Sequence, residues 1–253
     1  MDTRNYKFSC INIFIKNLFM KQLLYILIFY ASNLFCQDLP EGIGPYKIDK
    51  LTIKQFDSIT KSQNLKLIEC VGMNCLYSNL NKPNVYVKVI PNTKEVSDNS
   101  YPTYYLDNVT TYNIKNLKIN NKYTIGFANL IFVDNILSFI HFSDVTGYLS
   151  MDFETKYGLG ELSKTERDDY CYINRERISF TKKNYYRTYT NGNIEINRVI
   201  SDGKDDNCDQ KTSLYFIAEN LETIKKIKTE NKAKEEFFKN IENNKKRDEL
   251  KDL

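Results

Sequence analysis

The sequence has no tryptophan, a single histidine and few residues that break regular structure, with 9 glycines and 5 prolines among 253 residues. All the prolines lie between Pro40 and Pro102, and this scarcity excludes extensive disorder away from the chain ends. With His141 as the sole imidazole, a zinc centre would lack ligands at the usual tight spacing. The chain also has no glycine-rich phosphate loop and no serine in a recognisable nucleophile turn.

The apolar fraction of 42% is ordinary, and a chain of this length can form one large domain or two small ones. The formal net charge of +4 arises mainly from the first 36 residues, which hold four basic residues and one acid. The remainder carries 32 basic and 31 acidic residues. A near-neutral body gives no electrostatic reason to expect nucleic acid or an anionic membrane as partner.

The N-terminal segment has the pattern of a secretory signal peptide. Lys16 and Lys21 precede an apolar run over residues 23–31, which is shorter than the ~20 residues that a membrane span needs. Met20 is a second candidate start, because the sequence from there is a compact signal by itself. We predict cleavage after Cys36, so residues 1–36 form a signal peptide and the protein is secreted or periplasmic.

Two other fates of this segment stay open. If it is not cleaved, the product is an envelope protein held by an N-terminal anchor, and only then is the membrane a partner. If Cys36 carries a lipid, the product is a lipoprotein. Phe35 argues against the lipid, because lipoprotein signals resemble one another in having a small residue at that position.

Cleavage after Cys36 removes two of the six cysteines and leaves Cys70, Cys75, Cys171 and Cys208. An exported chain enters an oxidising compartment, where these thiols are expected to pair. Three connectivities exist, and proximity in the sequence favours Cys70–Cys75 with Cys171–Cys208. A redox dithiol would normally have two residues between its cysteines, whereas four separate the first pair. We therefore expect structural disulfides and no cofactor.

The densest apolar stretch outside the N-terminus, residues 123–142, predicts a central β-hairpin. Its first strand is apolar on both parities, which is typical of a strand covered on both faces. Asp134 and Asn135 tolerate positive φ and supply a two-residue turn. Gly126, inside the first strand, suggests a bulge.

Helical signals occur on either side of this hairpin and at the C-terminus. Thr52 and Gln55 fit a capping box, in which each side chain bonds a backbone N–H at the start of a helix. The predicted helices are one over residues 53–61, one capped by Ser143 or Asp144 and ended by Gly158, and a long, highly charged one over residues 221–253.

The remaining segments are assigned from alternation and turn residues. We predict strands over 65–70, 84–90, 110–119, 171–180 and 212–218, and a hairpin that turns at Asn191-Gly192. We also predict polar segments over 91–102 and 158–170 and an acidic loop over 201–211. The fold class is therefore α+β. A domain over residues 37–220 has a mostly antiparallel sheet with two short helices packed on it, followed by the long charged helix.

Candidate chemical sites are few, and we predict no catalytic residues. Asp205, Asn207 and Asp209 have the spacing that begins a calcium loop. Gln210 stands where that loop needs glycine, and Phe216 where it needs glutamate, so a solvated loop is the favoured interpretation. His141 lies on a strand and is more typical of a packed residue than of a catalytic base.

Tyrosine is the residue type that offers candidates for a binding surface, because the chain has 19 of them. Its large ring with a polar tip suits interfaces. The candidates for a binding face are Tyr104, Tyr105, Tyr112, Tyr185, Tyr186 and Tyr189. The alternative is that these residues belong to half-buried strands.

The segments GIGPYKIDKLTIKQF, ANLIFVDNILSFIHF and ETKYG, the last before a cysteine-bearing stretch, resemble small exported bacterial proteins of uncharacterised function. The order of a short strand, a capped helix and antiparallel strands is also similar, at the level of the fold, to outer-membrane assembly lipoproteins and β-lactamase inhibitor proteins. That resemblance implies a protein that acts by binding other proteins.

These observations predict an exported, non-enzymatic domain that binds a protein or a cell-envelope component. The alternatives are a secreted hydrolase with a carboxylate-based site and an envelope protein with a retained anchor. A flat tyrosine-rich sheet face would favour binding, and a deep pocket with convergent acids or His141 would favour the enzyme.

Overall fold

A computed structural model describes residues 38–92 and 104–251. The strands are β1 Gly42–Ile43, β2 Tyr46–Lys47, β3 Lys66–Val71, β4 Val85–Ile90, β5 Val109–Ile119, β6 Tyr123–Val133, β7 Ile136–Ser143, β8 Glu161–Ile173, β9 Glu176–Asn191, β10 Ile194–Lys204 and β11 Gln210–Asn220. The helices are α1 Ile53–Ser62, α2 Gly72–Leu80, α3 Gly147–Tyr157 and α4 Leu221–Lys251. The fold class is α+β, as predicted.

Nine strands form one sheet in the order β3-β4-β5-β6-β7-β11-β10-β9-β8, and β1 pairs with β2 separately. Every neighbouring pair in the large sheet is antiparallel except β3 with β4, which α2 connects. The order from β4 to β7 is mirrored from β11 to β8. The two meanders meet where Phe142 of β7 pairs with Phe216 of β11.

The main core lies on the sheet face covered by α1 and α3, which we call the front face. Phe56 of α1 contacts the rings of Tyr86, Tyr112 and Phe132. Phe153 of α3 packs in the same way against Phe216 and a tyrosine of β9. Each meander therefore buries one phenylalanine from the helix that precedes it, and burial of such aromatic rings supplies much of the stabilisation.

The opposite face, which we call the back face, is covered by the other two helices over the N-terminal half of the sheet. Leu76 of α2 packs in a buried cluster with Val87. Ile224 and Ile227 of α4 pack in another with Ile131. Because both clusters lie over β3 to β7, the back face of β8 to β11 belongs to neither of them.

Several sequence predictions are confirmed. Val133 and Ile136 flank the turn of the central hairpin, where Asp134 and Asn135 have φ of 50° and 66°. The capping box at the start of α1 is present in full. Both disulfides pair as proximity favoured, with Cα–Cα distances of 5.3 Å and 5.4 Å. The long C-terminal helix begins at Leu221 as predicted.

The prediction of two short helices was wrong, because the described residues contain three besides α4. The additional helix is α2. This helix follows β3 without a loop, and its N-cap residue, Val71, makes no side-chain hydrogen bond, so the usual start signal is absent. The disulfide between Cys70 and Cys75 joins the end of β3 to α2.

The start of α3 also differs from the prediction. The helix begins after Thr146, not after Ser143 or Asp144. Asp144 has φ of 53°, and its carbonyl oxygen accepts a hydrogen bond from the Gly126 N–H at 3.3 Å, so the chain is still bound to the sheet there. A Cβ on Gly126 would lie 2.6 Å from Asp144 Cβ, which explains the glycine. The predicted bulge at Gly126 is instead a local interruption of the β5–β6 pairing, which resumes in the same register.

The polar segment predicted over 158–170 is largely strand β8, and the strand predicted over 171–180 contains a turn at Asn174 and Arg175. These two residues have φ of 52° and 72°, a primed turn without glycine. The strand was missed because it lies at the sheet edge, where residues 161–168 are exposed on both faces and show no apolar alternation. The acidic loop is shorter than predicted, since β10 ends at Lys204 and β11 begins at Gln210.

The predicted signal peptide and nearly all of the predicted loop over 91–102 lie outside the described residues. Within residues 38–92 and 104–251, the helices are too short or too polar to span a bilayer.

Candidate functional site

The six tyrosines proposed as a binding face do not lie on one surface. Tyr112 and Tyr189 are in the front-face core, and Tyr104 and Tyr105 are buried near α4. Burial raises the pKa of all four phenols. The remaining two are partly exposed and point to opposite faces of β9, Tyr185 to the front and Tyr186 to the back.

In the loop between β10 and β11, the carboxylate of Asp205 holds the loop backbone. Asp205 Oδ1 accepts hydrogen bonds from the backbone N–H groups of Asn207, at 2.9 Å, and Asp209, at 3.0 Å. This is the behaviour of a turn-capping aspartate. In the described part of the chain, no three His, Cys, Asp or Glu side chains are grouped so that they could hold a metal ion.

His141 is a packed residue of the back face. It lies beside Asn129 and Ile217 on the neighbouring strands, and its ring meets the ring of Tyr215 edge to face at 5.7 Å. Burial lowers the pKa of the imidazole, so the neutral form is favoured. None of these three neighbours carries a carboxylate that could orient the imidazole as a base.

A cleft of about 500 Å³ at the end of α3 is the place where a carboxylate-based hydrolase could have its site, because Asp38 and Glu41 both line it. Glu41 accepts a hydrogen bond from Lys50 Nζ at 2.6 Å. That hydrogen bond lowers the pKa of Glu41, whereas a general acid needs a raised one. The carboxylate is therefore arranged as a surface ion pair.

The half of the back face that lies outside the α2 and α4 clusters carries polar, cationic and aromatic side chains, whereas the other half is packed with apolar ones. On β8 to β11, side chains at matching register positions form three parallel rows, which we call together the C-terminal back face. The cationic row has Lys211, Gly203, Lys182 and Arg167, the hydroxyl row has Ser213, Ser201, Asn184 and Thr165, and the tyrosine row has Tyr215, Val199, Tyr186 and Ser163.

Strand geometry fixes the size of this surface. Rows lie two residues apart along the strands, or roughly 6.6 Å, and the four strands span roughly 14 Å. Side chains on β8 are exposed, those of Lys182, Tyr186 and Tyr215 are half-buried, and Val199 is fully buried between the two tyrosines of its row. The surface is thus polar and aromatic.

A hollow of about 230 Å³ opens at the cationic end of the face. Three lysines line it, Lys182, Lys204 and Lys211, together with Ser201 and Ser213. Gly203 forms part of its wall, and a Cβ there would lie 3.3 Å from the side chains of both Phe180 and Lys182, so glycine keeps this position clear. The volume suits one small group, since drug-sized ligands occupy roughly 300–1,000 Å³.

Asn184, in the middle of the hydroxyl row, is 9% exposed, and its Oδ1 is buried without a hydrogen-bond donor among the described residues. Buried polar oxygens normally have a partner. The register of β9 directs this side chain to the same face as Thr165 and Ser201. The face therefore holds an acceptor without a donor, beneath neighbouring side chains.

Of the residues in the three rows, only Tyr186 was predicted from the sequence as part of a binding face. The sequence does contain a signal for it: Lys182, Asn184 and Tyr186 occupy every second position, so they lie on the same face of a strand. This pattern alone does not predict a shared surface, because the sequence of the adjoining strand, β8, predicts a polar linker. Without β8, the residues that lie beside Lys182, Asn184 and Tyr186 in the sheet cannot be identified.

Comparison of the chain with protein-family models, with curated proteins and with solved structures finds no match.

Proposed function

We propose that this protein is an exported, disulfide-bonded, non-catalytic domain that binds a component of the cell envelope through its C-terminal back face. The observation that carries the proposal is the set of three rows, which brings cations, hydrogen-bonding groups and two tyrosine rings to one side of four strands.

Two further features support this assignment. The two disulfides are compatible with a protein outside the cytoplasm. The signal-like N-terminal segment favours export. Surfaces that present tyrosine among polar groups are typical of binding sites.

Neighbouring tyrosines on β9 offer a matched test, because Tyr186 points to the C-terminal back face and Tyr185 to the front face. The full chain would be expressed with its N-terminal segment, recovered from outside the cytoplasm and mixed with sedimentable envelope material of the producing cells. We expect Tyr186→Ser to reduce co-sedimentation by about tenfold, the size of a modest hot-spot loss. Tyr185→Ser should leave it unchanged.

The fold of each variant is checked by the cooperativity of its thermal unfolding. Equal binding by Tyr186→Ser and the wild-type protein, with both folded, contradicts the proposed surface. Failure of the wild-type protein to bind any envelope material contradicts the proposed function.

A further inference from the structure

We infer that the ligand of the C-terminal back face is a short saccharide that ends in an acidic group, with the acidic group in the lysine-lined hollow and the sugar rings over the hydroxyl and tyrosine rows. This inference rests on the proposed function and specifies its ligand.

The hollow is built for a small anion. Neither Lys182 nor Lys211, the two lysines that the strand register turns to this face, forms an ion pair with a carboxylate of the described residues, so their ammonium groups are available to a ligand. Of the two acids in the lining, Asp205 uses its carboxylate on the loop backbone, and Asp206 is exposed. Charge-assisted hydrogen bonds from lysine to a carboxylate, sulfate or phosphate are among the stronger polar contacts.

A fourth cation extends this end of the face. Arg167 lies next to Lys182 on β8, and its guanidinium is 65% exposed and 3.5 Å from Asp169. That distance is too long for a strong ion pair, and an exposed pair of this kind contributes little. Arg167 can therefore turn towards a bound anion at small cost.

The hydroxyl row suits a ligand that both donates and accepts hydrogen bonds. Serine and threonine hydroxyls act in both directions, while the buried Asn184 Oδ1 can only accept. A sugar hydroxyl meets both needs: it accepts from a serine or threonine hydroxyl, and it donates to the amide oxygen once the side chains that cover Asn184 move aside. A bare inorganic anion has no proton to donate to Asn184 when it is fully ionised.

The tyrosine row lies roughly 13 Å from the cationic row, the length of four residues in a strand. This span is long enough for more than one sugar ring. The faces of Tyr186 and Tyr215 offer flat apolar area with a hydroxyl at the tip, which fits the apolar face of a sugar ring. Val199, which lies between them in the row, is fully buried.

The far end of the face excludes a uniformly acidic ligand. Beyond the tyrosine row, the same strands carry Glu161 on β8 and Glu195 on β10. An acidic peptide or polyanion that ran the length of the face would place negative charge against these carboxylates, which costs binding energy. Negative charge is favoured only at the lysine end, so the ligand has a terminal acidic group and an uncharged body.

The test uses trisaccharides in matched pairs, with a terminal uronic acid, sulfated hexose or phosphorylated hexose beside the uncharged counterpart of each. Binding to the exported, disulfide-bonded protein is titrated at low and high salt, with tetraglutamate and inorganic phosphate as further probes. We expect at least one acidic trisaccharide to bind at least about tenfold more tightly than its uncharged counterpart. We expect this preference to shrink at high salt.

Two adjacent lysines supply the control, since Lys182 points to the C-terminal back face and Lys183 to the front. Lys182→Gln should weaken binding of the acidic trisaccharide about tenfold, and Lys183→Gln should not change it. Each variant must retain wild-type thermal unfolding, so a loss of fold is recognised directly.

Four results would overturn the inference: no saccharide binds, the uncharged counterparts bind equally well, tetraglutamate or phosphate binds as tightly as the best saccharide, or both lysine variants lose binding alike. If saccharides fail while the wild-type protein still co-sediments with envelope material in a Tyr186-dependent way, the ligand class is wrong and the proposed function stands. If co-sedimentation fails as well, both are wrong.

Discussion

The imidazole of His141 reports on the back face without ambiguity, because the chain has no other histidine. Burial lowers its pKa, so the folded protein holds the neutral form at pH values where the unfolded chain is already protonated. The unfolded state then binds more protons, and the free energy of unfolding falls as the pH drops below about 6.5, the usual value for histidine.

We therefore predict that His141→Gln removes part of the loss of stability between about pH 6.5 and pH 5. Urea unfolding of both proteins across this range measures the difference, and the NMR titration of the single imidazole measures the pKa directly. A pKa at or above the ordinary value, or identical pH slopes for the two proteins, would refute the description of His141 as a packed neutral residue.

The ion pair between Arg198 of β10 and Glu154 of α3 lies in the front-face core, with side chains 10% and 24% exposed. Removing one member leaves the other charge buried without compensation. We predict that Glu154→Gln lowers the free energy of unfolding by about 3 kcal/mol. Glu69→Gln is the control, because the side chains of the Lys88–Glu69 ion pair are 34% and 53% exposed, so this pair should matter far less. Equal losses in urea unfolding would mean that the buried pair has no special role.

At the scale of elements, α4 is held by its first half. Ile224 and Ile227 are buried on the sheet, and Asn231 Oδ1 accepts a hydrogen bond from the Tyr105 backbone N–H at 2.6 Å. Further along, Phe237 and Ile241 are 60% and 50% exposed. The helix therefore docks on the sheet through its first turns, and the side chains of Phe237 and Ile241 extend into solvent.

This arrangement predicts that Ile227→Ala lowers the free energy of unfolding by about 3 kcal/mol, from lost burial and the cavity left behind. Ile241→Ala removes the same atoms from an exposed site, and we expect a change below about 0.5 kcal/mol. Denaturant unfolding of the two variants decides the matter. A similar loss in both would show that the later turns of α4 are also packed.

Elements with strong local signals were predictable, and those at edges were not. The capping box of Thr52 and Gln55 fixed the start of α1, and an apolar run on both parities identified β6, because these signals depend on nearest neighbours in sequence. β8 escaped because an exposed edge strand carries charges on both faces, as edge strands do to avoid unwanted pairing.

The candidate site shows the same limit. Tyr186 could be named from sequence, but four of the six proposed tyrosines are buried, because a tyrosine in a strand faces core or solvent according to a parity that depends on the neighbouring strands. The rows of Lys182 and Asn184 exist only once β8 to β11 are placed in register. Residue type gave the chemistry, and topology decided which residues share a face.

At the scale of the whole molecule, two meanders meet at β7 and β11, and each of the two edge strands of the sheet, β3 and β8, carries one cysteine of a disulfide. The Cys171–Cys208 disulfide connects β8 to the loop between β10 and β11, and its cysteines are 37 residues apart in the sequence. The cysteines of the Cys70–Cys75 disulfide are 5 residues apart. A longer loop loses more entropy when it is closed in the unfolded chain.

We predict that the double variant Cys171→Ser with Cys208→Ser lowers the free energy of unfolding by about 4 kcal/mol, and that Cys70→Ser with Cys75→Ser lowers it by about 2 kcal/mol. Urea unfolding under non-reducing conditions gives both values. Peptide mapping without reductant should recover the two linked pairs from the wild-type protein. Free thiols or the reverse order of losses would contradict this account of the disulfides.

The most direct test of the proposed binding surface compares two neighbouring amines in one molecule. Lysine acylation of the exported protein, with and without envelope material, is quantified residue by residue by mass spectrometry. We predict that envelope material protects Lys182, on the C-terminal back face, and leaves the labelling of Lys183, on the front face, unchanged. Equal labelling of Lys182 in the two conditions, or equal protection of both lysines, would contradict the claim that this face is where the protein binds.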